Sequence, residues 1–285
     1  MSTVRVIARL DIKGPNLVKG IHLEGLRVLG KPEEFAKYYY ENGADELMYM
    51  DVVASLYERN SLQDIIKKTA QEIFIPLTVG GGLRTIEDIR TALRAGADKV
   101  ALNTAAIKNP NIIKEASKKF GSSTIVVAIE AIKQPDGSYF AFIDNGREYT
   151  GVEVIQWAQK VEELGAGEIV ITSVDKEGTG EGFDIELTKK VATAVSIPVI
   201  AHGGPGMLQH VSDVVERGKA DAVAIASMIH YGYLKTIQTK PVDDHFKEEG
   251  NIDFIKSGKS FGKIKGASLN EIKEELKKRN INCRL

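Results

Sequence analysis

Two hydropathy patterns alternate along the chain. Short apolar runs rich in β-branched residues are separated by longer segments in which apolar positions recur every three or four residues. The short runs predict buried strands at 4–11 (VRVIARLD), 46–52 (ELMYMDV), 76–80 (PLTVG), 99–103 (KVALN), 124–130 (TIVVAIE), 168–174 (EIVITSV), 198–202 (PVIAH) and 222–226 (AVAIA). The longer segments predict helices. KPEEFAKYYYENG has Pro32 near its start and Gly43 just past its end, and TIEDIRTALRAG follows the same logic. In the last such segment, SLNEIKEELKKRN, Ser268 and Glu271 have the spacing of a capping box. Eight buried strands with helical crossovers imply a parallel sheet. At 285 residues, closure into a single α/β domain, a (β/α)8 TIM barrel over 1–285, is favoured over an open doubly wound sheet.

An internal repeat strengthens that expectation. IPLTVGGG, starting at 75, matches IPVIAHGG, starting at 197, and GADELMYMD at 43 resembles GAGEIVITS at 165; both offsets are 122 residues. GADKVALNTAA at 96 aligns with KADAVAIASMI at 219, and RLDI at 9 falls opposite AIEA at 128. Each half therefore holds four βα units, and two half-barrels are the natural reading. The polar, Lys- and Gly-rich stretch at about 239–266 departs from the pattern. It reads as a solvated insert before the last helix, with a lid or docking surface as the sharper alternative.

Composition narrows the class. Thirty-eight basic residues against 39 acidic ones give no reason to expect nucleic acid or an anionic membrane as a partner. Cys283 is the single cysteine, which excludes an internal disulfide framework and fits a reducing compartment. Charges at Arg5, Arg9 and Asp11 interrupt any signal-peptide core, and no stretch approaches 18 apolar residues. A cytoplasmic location is expected. The five histidines have no metal-ligand spacing and no GxSxG elbow occurs, so neither a metal nor a cofactor nor a nucleophilic triad is expected.

Barrel enzymes place their sites on the loops that follow the strands. Those loops carry VGGGL with Gly81 and Gly82, ALNTAA with Asn103 and Thr104, AHGGPG with Gly203 and Gly204, and AIASMI with Ala226 and Ser227. Glycines let backbone approach a ligand, and helix N-termini offer unpaired N–H groups to an anion. The motif recurs half a barrel apart, which points to a long substrate with a phosphate at each end. Asp11 and Glu130 end strands that the repeat makes diametrically opposite, an arrangement suited to general acid–base work. The alternative is a pair of strand-end charges that merely meet water. Lys19, Asp51, Thr172, Asp175, Lys176, Glu177 and Gly178 complete the candidates at the mouth, and His202 could touch substrate there. At strand beginnings, Arg5, Glu46, Lys99 and Glu168 read as a salt-bridged ring closing the floor.

With RLDIKGPNLVKG, ADELMYMDVVAS, IPLTVGGGL, ADKVALNTAA, GAGEIVITSVDKEGTGEGFD and IPVIAHGGPG in view, the chain resembles the HisF family over roughly 4–235 and the last helix. HisF is the cyclase subunit of imidazole glycerol phosphate synthase. The resemblance implies a HisH-like glutaminase partner docked on the barrel floor, its ammonia crossing the barrel to a bisphosphorylated ribulosyl carboxamide ribonucleotide. It makes Asp11 and Glu130 the catalytic carboxylates, Lys19 a mouth lysine, and Arg5, Glu46, Lys99 and Glu168 an ammonia gate. Four features depart from the family: Glu130 and Glu177 stand where aspartate is usual, Arg9 where cysteine is usual, and the insert is added. These departures resemble HisF-like paralogues that deliver ammonia to a sugar amidotransferase in surface-polysaccharide pathways, the alternative reading. A HisA-like isomerase, which shares the half-barrel repeat, is a more distant one.

Overall fold

Every one of the eight apolar runs becomes a strand. Outward positions pack under helices and inward positions meet inside the barrel, so both faces of most strands are largely apolar. A computed structural model describes residues 3–54, 62–237 and 263–284. The strands are β1 (Arg5–Lys13), β2 (Asn16–Ile21), β3 (Glu24–Gly30), β4 (Glu46–Asp51), β5 (Leu77–Gly80), β6 (Lys99–Leu102), β7 (Ile125–Lys133), β8 (Tyr139–Ile143), β9 (Glu148–Glu153), β10 (Glu168–Ser173), β11 (Val199–His202) and β12 (Ala222–Ile225). Parallel pairing runs β10–β11–β12–β1–β4–β5–β6–β7, and a β7–β10 ladder closes the ring. The chain is thus a closed eight-stranded parallel barrel with surrounding helices, as the repeat predicts.

Two expectations need correction. The first and fifth strands do not end at their carboxylates. Each continues two or three residues past Asp11 or Glu130 and folds back as an antiparallel hairpin, β2–β3 in one half and β8–β9 in the other. Beyond the carboxylates the backbone leaves the barrel and needs a new hydrogen-bonding partner, which the returning strand supplies. The register pairs Asp11 with Val18 and Glu130 with Phe142. Both carboxylates therefore sit at equivalent junctions, where barrel becomes hairpin.

Helix punctuation is as expected. Pro32 opens the helix Pro32–Glu41. Thr85 caps Ile86–Ala95 in a capping box with Asp88, and Gly96 closes it with a φ of 122°. Ser268 and Glu271 form the predicted box before Leu269–Lys278. Most of the insert lies outside the described residues. Its end is described: Ile264 is buried, and the Lys265 N–H donates to the Gly206 carbonyl at 2.8 Å. No helix among the described residues is long and apolar enough to cross a membrane.

Two apolar clusters lie between sheet and helices, and a third fills the barrel. The inner cluster includes Ile7, Met48, Ala101, Val126, Val170 and Ala222. It separates the floor from the mouth.

Candidate functional site

On the floor, alternation brings the first inward position of four strands to one level. Arg5 Nη1 lies 2.6 Å from Glu46 Oε1 and 2.9 Å from Glu168 Oε1. Lys99 Nζ lies 3.1 Å from Glu46 Oε2 and 3.1 Å from Glu168 Oε1. Each cation thus bridges both anions in a closed four-membered ring beneath the apolar interior. Glu168 Oε2 is buried without a hydrogen-bond partner. In a partly dry setting such a ring holds its shape, because opening it strands a charge.

At the mouth, Asp11 is buried with both oxygens engaged. Arg9 Nε donates to Oδ1 at 2.9 Å and Lys19 Nζ to Oδ2 at 3.3 Å. Burial alone would raise its pKa, but the neighbouring charges of Arg9 and Lys19 outweigh it and hold the carboxyl well below the usual carboxylate range. Lys19 also pairs with Glu177, whose second oxygen accepts the Leu23 N–H at 3.0 Å. Arg9 Nη1 reaches His202 Nδ1 at 3.2 Å, and Thr172 Oγ1 lies 3.2 Å from the same nitrogen. Burial, helped by the Arg9 charge, pushes His202 well below its ordinary pKa. The imidazole is therefore neutral, and Nδ1 accepts from Arg9, which leaves the hydrogen on Nε2.

Glu130 faces the opposite environment. Its Oε2 accepts the Gly146 N–H at 2.8 Å, and the Asn103 side chain also reaches it. Burial nevertheless dominates and raises its pKa to about 7, against the opposing charge of Arg9. β1 and β7 are four strands apart in either direction around the barrel, so the two carboxylates face each other. One is held ionised and the other is poised to carry a proton near neutral pH. Such a split is how two like groups divide acid and base roles.

The two glycine loops form unequal cradles. Gly81 and Gly203 both have a φ of 95°, and a side chain at either would meet backbone, Asp51 O at 2.2 Å or Ser173 O at 2.7 Å. Gly81, Gly82, Asn103 and Thr104 line a cleft of about 400 Å³ together with Asp51, Glu130 and Arg9. Gly178, Gly203, Gly204, Ala226, Ser227, Glu177 and His202 line a pocket of only about 10 Å³. The β2–β3 hairpin packs against Gly178 of the smaller one, where a side chain would meet the Gly20 carbonyl oxygen at 2.6 Å. The hairpin's turn is tied down by the His22 N–H to the Glu177 carbonyl at 2.9 Å and by Asn145 Nδ2 to the Leu23 carbonyl at 3.1 Å. Both cradles open to the mouth, and the second is much the smaller.

Most of the expected mouth residues converge, but Asp175 and Lys176 do not. Asp175 is exposed and accepts the Lys133 N–H at 2.9 Å, so it ties a loop and lines neither cavity. Lys176 pairs with Glu181 at 3.4 Å. Arg84 and Lys108 line the open cleft and were missed; each lies within a few residues of a phosphate-loop motif, a signal that was available. Asp144 and Asn145 also line it, brought there by the hairpin that the strand pattern does not announce. Among the described residues no group of three or more His, Cys, Asp or Glu is arranged to hold a metal.

A closed (β/α)8 barrel with a differentiated carboxylate pair across its mouth defines an enzyme of the barrel class. Residues 5–235 match the model of the family described as histidine biosynthesis protein, and the chain belongs to that family as a HisF-type member. A protein named imidazole glycerol phosphate synthase subunit HisF from Legionella pneumophila is 59% identical over 209 residues, covering 73% of this chain and 99% of that protein. Subunits of the same name from Methanocaldococcus jannaschii and Clostridium botulinum (strain Okra / Type B1) are 49% and 47% identical. They cover 81% and 88% of this chain, and 92% and 98% of their own lengths.

Proposed function

We propose that the chain is the cyclase subunit of an imidazole glycerol phosphate synthase and works with a HisH-like glutaminase docked on the barrel floor. The observation that carries this reading is the carboxylate pair. Ammonia condensing with a carbonyl must shed a proton from nitrogen and place protons on the departing oxygen, which leaves as water. Glu130, raised to about 7, suits the donor role near neutral pH, and Asp11, ionised, suits the acceptor role. The Gly81–Gly82 cradle suits one phosphate of the substrate, and the Gly203–Gly204 cradle, with room for about one water, must widen to take the other. Arg84 and Lys108 add positive charge to the first. The Arg5–Glu46–Lys99–Glu168 ring, with an apolar interior above it, suits passage of a neutral ammonia molecule from a floor-bound partner.

The name shared by the relatives favours the cyclase over the sugar-amidation paralogue and over the isomerase. In the test, the chain is mixed with a HisH-like glutaminase, amide-labelled 15N-glutamine and the bisphosphorylated ribulosyl substrate. The expected result is a stable complex that places the label in the imidazole ring of imidazole glycerol phosphate. A stable complex that hydrolyses glutamine but forms no labelled imidazole would overturn the proposal.

A further inference from the structure

Arg9 is the charged group that the reaction does not ask for. It is 3% exposed, lies inside the barrel one inward position above Ile7, and forms part of the wall of the open cleft. Below it is the apolar interior; above it are the carboxylates. Its Nε is taken by Asp11 and its Nη1 by His202, so the side chain stretches from β1 towards β11 across the top of the interior. Its Nη2 has no protein partner among the described residues. A guanidinium in this position costs desolvation and persists only where its bonds are met. Two consequences follow from its geometry. A molecule rising from the floor meets Arg9 before it meets substrate. Asp11 has one oxygen on Arg9 and the other on Lys19, so a proton coming from above competes with two buried cations for it.

We propose that Arg9 is a stopper and clamp in one: it closes the top of the barrel interior and masks Asp11 until substrate oxygens in the cleft draw its guanidinium away. This rests on the cyclase reading and adds its timing. Withdrawal of Arg9 opens the ammonia route and frees the Asp11 carboxylate in the same movement, so ammonia enters only when an acceptor is bound. Arg9 is a positioning residue here, acting on the reaction through Asp11 and through access.

The test compares two ammonia sources in the chain–glutaminase complex. Ammonia from glutamine must pass the Arg9 layer, whereas ammonia from added ammonium chloride reaches the cleft from the open mouth. Any change in the chemistry itself alters both rates alike and cancels in their ratio. With substrate saturating, the ratio of glutamine-driven to ammonium-driven product formation stays near the parent value in Arg9→Gln and Arg9→Ala, because bound substrate has already drawn Arg9 aside. At low substrate, more glutamine is consumed per product because ammonia escapes through the mouth. A low-substrate glutamine-to-product stoichiometry unchanged from the parent protein in both folded variants would overturn the stopper. Absence of turnover from either source in the unsubstituted complex would instead sink the cyclase reading, and the stopper with it. If Arg9→Ala does not fold, Arg9→Gln carries the same comparison.

Discussion

Glu130 is held by the second hairpin. Asp144, Asn145 and Gly146 turn with φ values of 51°, 66° and 77°, which brings the Gly146 N–H to 2.8 Å from Glu130 Oε2. Side chain and turn are matched, so the carboxylate is held in place. Its raised pKa has a stability consequence with a definite sign. An ordinary glutamate near 4.5 in the unfolded chain loses its proton before Glu130 at about 7 does in the folded one. Between those values the folded state binds more protons, so this group makes the protein less stable as pH rises through that window, and the cost stays above it. Glu130→Gln removes the burden while its amide oxygen still accepts from Gly146. The variant should be more stable than the parent by on the order of 3 kcal/mol at pH 8 and by little at pH 4.5. Urea denaturation at both pH values checks this; an equal gain at both would show that burial of the ionised carboxylate is not the cause.

At the scale of elements, Glu177 is the latch that holds the β2–β3 hairpin down. The buried Lys19–Glu177 pair, the Leu23 N–H on Glu177 and the His22 N–H on the Glu177 carbonyl converge on one residue in the loop after β10. Glu177→Ala leaves Lys19 with Asp11 alone and removes the acceptor for Leu23. Breaking a buried pair from one side costs about 3–5 kcal/mol. Hydrogen exchange at the Leu23 amide should therefore speed up well beyond exchange in the barrel strands; unchanged protection would show that the hairpin is held by other contacts. The eight barrel strands were legible to within a few residues, because their two-sided burial leaves no polar face. The hairpins were not. NLVKGI and YFAFI lie outside the half-barrel repeat; Gly14–Pro15, Asp136–Gly137 and Asn145–Gly146 are turn signals beside them, but His22 and Leu23 turn with φ values of 52° and 62° without one.

Across the whole molecule, the repeat predicted the pairing of Asp11 with Glu130 and of the two glycine loops, and the floor ring followed from its positions at strand beginnings. What the repeat concealed is asymmetry. Identical half-barrel logic yields one cleft of about 400 Å³ and one cradle of about 10 Å³, and the long-range ties between the hairpins and the β10 loop have no local sequence pattern. Arg9 belongs to the same class of surprise: alternation pointed it inward, but only packing reveals that Asp11 and His202 receive it. The central claim is that this barrel performs ammonia-dependent cyclisation with Asp11 and Glu130 as its working carboxylates. The most direct measurement uses the chain alone, the bisphosphorylated ribulosyl substrate and a high concentration of ammonium, with imidazole glycerol phosphate as the product followed. The account predicts turnover that falls by about 100-fold or more in Asp11→Asn. No turnover by the folded, unsubstituted chain, or turnover that Asp11→Asn leaves intact, would contradict it.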